Sequence, residues 1–170
     1  MTWTAGENIT ARRLNAEFAG YIIARGRRVT ASTGTTATTS GTAQGVMRIS
    51  GALTSGRLYR VSAPNLPCRS TTSGDRLAAQ LTYTLDGTTP VVGSTRLTFG
   101  QLECVGTSVP NSLTVEGLYI PSSDLTFSVL LSIYRQSGAG TVSLLGASDW
   151  PVDLLIEDVG EDTSDVGVDL

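Results

Sequence analysis

From Gly45 onward, apolar and polar residues alternate in short runs. Leu81, Tyr83 and Leu85 fall on one face of such a run, as do Phe127, Val129, Leu131 and Ile133. A period of two places alternate side chains on opposite faces of a strand. Strands are therefore predicted at 46–53, 58–63, 77–85, 95–99, 101–105, 113–120, 125–134, 141–146 and 152–157. Turn chemistry punctuates them: Asp86-Gly87 with Pro90 behind it, and Ser-Gly-Ala-Gly at 137–140. The second of these turns predicts a hairpin between 125–134 and 141–146. Short strands separated by frequent turns predict an all-β fold, a jelly-roll-like antiparallel β-sandwich of about eight or nine strands. No helical pattern of similar strength alternates with the strands, which argues against a doubly wound fold. No repeat at solenoid spacing is visible.

The first residues follow a different period. Thr10 suits a helix N-cap, with Ile9 and Leu14 at the two positions of a hydrophobic staple. Leu14, Phe18, Tyr21 and Ile22 then form one apolar stripe at helical spacing, and Gly26 suits a helix stop. Such a helix is marginal alone in water and needs something to dock on. Residues 29–45 are a Thr/Ser/Gly tract that reads either as a linker or as one or two edge strands. The predicted organisation is a helical attachment arm at 1–28, the tract at 29–45, a β-sandwich body at 46–160 and an acidic tail at 161–170.

Composition narrows the chemistry. Hydrophobic residues make up 40% of the chain and charged residues only 16%, so Ser, Thr, Gly and Asn must cover much of the surface. There is no His, and all twelve basic residues are Arg. Without His the commonest general base and metal ligand is missing, and without Lys so is Schiff-base chemistry. No Gly-x-Ser-x-Gly elbow occurs. The carboxylates Asp75, Asp86, Glu103, Glu116 and Asp124 lie singly, with no spacing that pairs them for glycoside hydrolysis, and read as solvated surface groups. The acid-rich stretch from Glu157 lacks the pattern of an EF-hand. No enzyme activity, cofactor or metal is expected.

Net charge is −3, but it is unevenly spread: residues 1–30 hold five Arg against two Glu, while 149–170 hold eight acids and no base. Either the two ends steer contacts between chains or both are simply solvated. Arg12, Arg13, Arg25, Arg27 and Arg28 are candidates for electrostatic contact with a partner. The cluster is short and matches no nucleic-acid docking motif, so no nucleic-acid partner is expected. Neither a signal peptide nor a membrane-length apolar run is visible, giving an expectation of synthesis in a cytoplasm with no membrane partner. Cys68 and Cys104 read as two buried thiols, with a disulfide possible only if their strands adjoin.

One segment is more specific. Trp3-Thr-Ala-Gly-Glu, followed by Ile9-Thr-Ala-x-x-Leu14-Asn15, resembles the opening of many small structural proteins of tailed bacteriophages. These include minor tail, fibre-like and head-fibre proteins, of actinobacterial phages in particular. The segments at 130–135, 140–144 and 155–160 resemble their closing strands. The resemblance implies a virion protein attached to its particle through the N-terminal segment, often as a homotrimer, with no catalytic residues. The partners it implies are tail proteins or, for a capsid decoration protein, the major capsid protein; a host surface glycan is a further candidate. Particle docking then falls to Trp3, Ile9, Leu14, Phe18, Tyr21 and Ile22. The Arg12-Arg13 pair and the Thr-rich tract depart from the usual pattern. A carbohydrate-binding module is a remote alternative, and it needs an aromatic platform or paired acids in one groove, which an aromatic content of 6% supplies poorly.

Overall fold

The computed structural model describes residues 21–29, 36–39, 41–105, 110–147 and 149–161. Among these residues ten strands form: β1 (Tyr21–Arg28), β2 (Thr36–Thr38), β3 (Gln44–Leu53), β4 (Arg57–Ser70), β5 (Arg76–Thr84), β6 (Thr95–Glu103), β7 (Asn111–Tyr119), β8 (Leu125–Ser137), β9 (Val142–Leu144) and β10 (Val152–Glu161). No helix occurs among the described residues.

The strands make two antiparallel sheets. In the first, β1 pairs β10, β10 pairs β4 and β4 pairs β7. The second runs β3-β8-β5-β6. The chain crosses between the sheets in a double Greek key, which is the jelly-roll arrangement. Two short strands extend it. β9 continues beside the far half of β4, with Cys68 opposite Leu144, and β2 pairs β9 at the edge.

The alternating pattern explains the sandwich. Phe127, Val129, Leu131 and Ile133 of β8 are fully buried, as are Leu77, Ala79 and Leu81 of β5. They face Tyr59 and Val61 of β4 and Val152, Leu154 and Ile156 of β10 within one core. An aromatic cluster ties the sheets together: Tyr119 of β7 lies 4.6 Å from Phe127 between ring centroids, and Tyr83 of β5 lies 5.1 Å from Phe127. Leu85, predicted to continue the Leu81–Tyr83 face, lies beyond the strand and is exposed. Part of the outer face of the second sheet is covered as well. Gln80 Nε2 and Thr82 Oγ1 donate to the carbonyls of Val92 and Val91, which draws the β5–β6 loop over it.

Five expectations need correction. Residues 21–28 are a strand, not the end of a helix, so the proposed arm at 1–28 overlaps the body. Tyr21, Ile22 and Ile23 are strand formers, and β10 offers a long partner. Gly26 is no helix stop: a Cβ there would lie 2.7 Å from Ile49 Cγ2, so glycine lets β1 approach β3 across the core. The predicted hairpin does not form, because β9 pairs β4 and β2 instead of β8. The segments 95–99 and 101–105 merge into the single strand β6, with Gly100 opposite Ala79. β4 runs through Pro64, where the sequence suggested a stop, because its pairing with β7 shifts register between Ala63 and Leu66. A bulge of this kind is where a sheet tolerates proline. In the Thr-rich tract, β2 is an edge strand, as one of the two readings held.

Candidate functional site

The residues singled out for docking are only partly described. Trp3, Ile9, Leu14 and Phe18, with Arg12 and Arg13, lie outside the described residues. Tyr21 and Ile22 open β1, Ile22 with 43% of its surface exposed. They are consecutive strand residues, so their side chains point to opposite faces and share no helical stripe.

The charged ends meet within the chain. Arg25 and Arg27 each reach Asp153 at 3.2 Å, across the β1–β10 pair. Arg60 bonds Glu157 at 3.0 Å, and Arg57 grips Asp158 with two bonds of 2.6 and 2.9 Å. Asp158 is buried, and the pair with Arg57 is planar and bidentate, the strongest form of such contacts. The Arg60 guanidinium is held above its ordinary range, first by its hydrogen bond to Glu157 and then by that carboxylate's charge. Arg28 donates to the Val46 carbonyl of β3. The asymmetry read as steering between chains, or as two solvated ends, is therefore used in part to stitch β1, β10 and β4 together.

The single carboxylates have separate local tasks. Asp124 accepts from the Ser55 N–H, Asp86 from the Thr88 N–H and hydroxyl, and Glu103 pairs with Arg76 at 3.7 Å. Asp75 is the exception to the solvated reading, at 1% exposure. Its carboxylate accepts from the Ser70 hydroxyl and from the N–H groups of Ala139 and Gly140, both at 3.0 Å. It thereby clamps the turn that carries the chain from β8 in one sheet to β9 in the other. Its pKa is lowered, chiefly by the Ser70 hydrogen bond, against an opposing push from burial. Cys68 and Cys104 are buried free thiols, and burial pushes Cys68 up to about 12.

A cleft that was not foreseen from the sequence opens on the first sheet. Its volume is about 500 Å³, and it lies where the β4 bulge, the start of β7 and the β9–β10 connection converge. Pro64, Pro67, Pro110 and Pro151 wall it, and Asn65, Asn111, Asp149 and Asp153 supply polar groups. Trp150 stands in it with 51% of its surface exposed. Two reciprocal backbone bonds between Ala147 and Trp150, at 3.1 and 3.2 Å, fix the turn that presents the indole. Asn65 holds a left-handed backbone at φ 50°, which the bulge imposes, and its N–H donates to Thr114 Oγ1. The lining is scattered over three distant stretches of sequence, so no local motif marks it. Among the described residues no group of three or more Cys, Asp or Glu side chains is placed to hold a metal ion.

No family model matches the chain, and a search of curated proteins finds no match. Solved structures show loose likeness. The insecticidal delta-endotoxin Cry8Ea1 from Bacillus thuringiensis is 13% identical with a TM-score of 0.40, over 73% of this chain and 19% of that one. The Eiger TNF from S. frugiperda is 12% identical with a TM-score of 0.44, over 88% and 99%. The chain of the T=1 particles derived from infectious bursal virus is 14% identical with a TM-score of 0.43, over 80% and 36%. The chain thus spans a fifth to a third of the endotoxin and bursal virus chains and nearly all of the TNF. An endotoxin, a TNF and a virus particle differ in function, so none is transferred from likeness at this level.

Proposed function

We propose that the chain is a non-enzymatic structural protein of a tailed-bacteriophage particle, of minor tail or fibre type. The segment before Tyr21 docks it, and the jelly roll is displayed. The observation that carries this reading is the pairing of β1 with β10, Tyr21 opposite Asp158, which holds the start of β1 against the body. A segment bearing the Trp3 to Asn15 motif therefore enters the body at a fixed point on the first sheet, as an attachment segment requires. The docking residues that suit this role are Trp3, Ile9, Leu14 and Phe18, an aromatic and apolar set of the kind that anchors interfaces.

Exposed apolar side chains favour assembly with other copies. Phe99 on β6 and Leu118 on β7 stand on strands at the edges of the two sheets, at 48% and 58% exposure. Symmetric packing of copies through such edges, as a homotrimer, both covers the apolar groups and protects open strand edges.

Two truncations test the docking boundary. Removing residues 1–20 leaves every described strand in place, so the body should fold but fail to enter particles. Removing residues 1–28 takes β1 as well and should unfold the body. Incorporation of the 1–20 deletion at wild-type level would refute the docking role. Copy number per particle from quantitative mass spectrometry places the protein: a few copies support the tail, and a fixed stoichiometry to the capsid protein supports capsid decoration instead. Light scattering should give a trimer, and a monomer across micromolar concentrations would refute the assembly.

A further inference from the structure

We infer that the proline-walled cleft at Trp150 is a binding site for a neutral saccharide, with the indole as its stacking platform. The inference stands whether the protein sits on a tail or a capsid.

Four of the chain's six prolines line this one cleft. Proline has no N–H, so these walls are apolar and rigid and offer few backbone donors. A peptide laid in the cleft would find little to pair its backbone with. What the cleft offers instead is one large ring face and a few planar polar side chains. A pyranose has the matching shape: its axial C–H groups present an electropositive, apolar patch to the negative face of an indole. Its hydroxyls point outward in the ring plane, towards groups such as Asn65, Asn111 and Asp149. Amides offer both donors and acceptors, and a carboxylate has about four acceptor positions, so such groups can take neighbouring hydroxyls as pairs.

The charge of the cleft selects among sugars. Asp149 and Asp153 both line it, and Arg25 and Arg27 engage Asp153 from the β1 side. No arginine lines the cleft, and the two beside it are engaged by Asp153, so the lining offers no cation of its own to pair with uronic or sialic acids or phosphorylated glycans, and a neutral sugar fits it better. A volume of about 500 Å³ lies within the roughly 300–1,000 Å³ of small-molecule sites.

Exposure of the ring is the second observation. Tryptophan is highly buried on average, and this one is half exposed although its turn is fixed by two backbone bonds. The backbone that carries the ring is tied to Ala147, so the main chain beneath a stacking ligand need not be ordered on binding. Preorganisation of this kind lowers the cost of association.

The test uses the full-length protein on an array of neutral hexose and N-acetylhexosamine oligosaccharides, with uronic-acid and sialylated oligosaccharides alongside. Hits are followed by titration calorimetry with the same soluble oligosaccharide. Binding to at least one neutral probe is expected, with Trp150→Ala weakening it about tenfold or more, the loss of one stacking contact. Trp150→Tyr, which keeps a ring, should retain much of the affinity, and Asp149→Asn should weaken binding without loss of the fold. Circular dichroism confirms folding of each variant. No binding to any neutral probe at millimolar concentration, binding confined to acidic glycans, or full affinity in Trp150→Ala would each overturn the assignment.

Discussion

Replacing Asp75 with Asn changes one atom and should cost the protein a large share of its stability. The carboxylate serves three donors from a position at 1% exposure: Ser70 Oγ and the Gly140 N–H on Oδ2, and the Ala139 N–H on Oδ1. An amide keeps only one oxygen. If it faces Ser70 and Gly140, its NH₂ opposes the Ala139 N–H, and if it faces Ala139, two donors lose their acceptor. At least one charge-assisted bond is lost, worth about 1.5–3 kcal/mol, and the others weaken with the charge gone. A deficit of about 2–4 kcal/mol at pH 7 follows. With a urea m-value of about 2 kcal/mol/M, this lowers the unfolding midpoint by about 1–2 M. The deficit must also depend on pH. The folded pKa of Asp75 lies below its unfolded value of about 3.9. Its contribution is thus complete above that unfolded value and is lost as pH falls through the folded one. The gap between wild type and variant should therefore close in acid. Urea titrations followed by circular dichroism at pH 7 and at pH 3 read both effects. A variant within about 0.5 kcal/mol of wild type at pH 7, or a gap unchanged at pH 3, would refute the clamp.

Gly138 has φ 104°, and a Cβ there would collide with Asp75 Oδ1. Gly138→Ala should therefore lower the thermal midpoint by at least as much as Asp75→Asn, and an unchanged midpoint in calorimetry would count against it. Arg57→Ala leaves the buried Asp158 carboxylate without its bidentate partner and should cost about 3–5 kcal/mol in urea unfolding. Arg25→Ala breaks an exposed pair and should cost no more than about 1 kcal/mol, so equal losses would contradict the assigned geometry. Burial holds the Cys68 thiol neutral well above neutral pH. An excess of a disulfide reagent at pH 8 should leave Cys68 and Cys104 unmodified in the native protein and label both in urea, and rapid native labelling of Cys68 would refute its burial.

The core was legible in the sequence because it obeys a local rule. The period-two run from Phe127 to Ile133 placed a strand whose inner residues are buried as predicted, and the run at Leu81 did so as far as Tyr83, with Leu85 exposed beyond the strand. The same local reading failed at residues 21–28, where an apolar stripe at helical spacing preceded Gly26. There the decision lay with β10, some 130 residues later in the chain, and with Ile49 across the core. The hairpin failed for a related reason. Ser-Gly-Ala-Gly does turn the chain, but Asp75 holds that turn so that it passes between sheets instead of returning along one.

The candidate cleft lay beyond sequence reading altogether. A 6% aromatic content argues against a platform only on average, whereas a site needs one ring correctly placed. Trp150, Asn65, Asn111 and the prolines become neighbours through the β4 bulge and the β9–β10 connection, and neither leaves a local signature. By itself, then, the sequence determined the all-β class, the buried alternation and the absence of histidine and lysine chemistry, because these depend on residue type and short-range period. The tertiary structure alone decided that β1 belongs to the body, that the charged ends pair with each other and that an exposed tryptophan stands in a proline-walled cleft. Each of those outcomes depends on which distant strands become neighbours, and pairing between strands far apart in sequence leaves no periodic trace in either one.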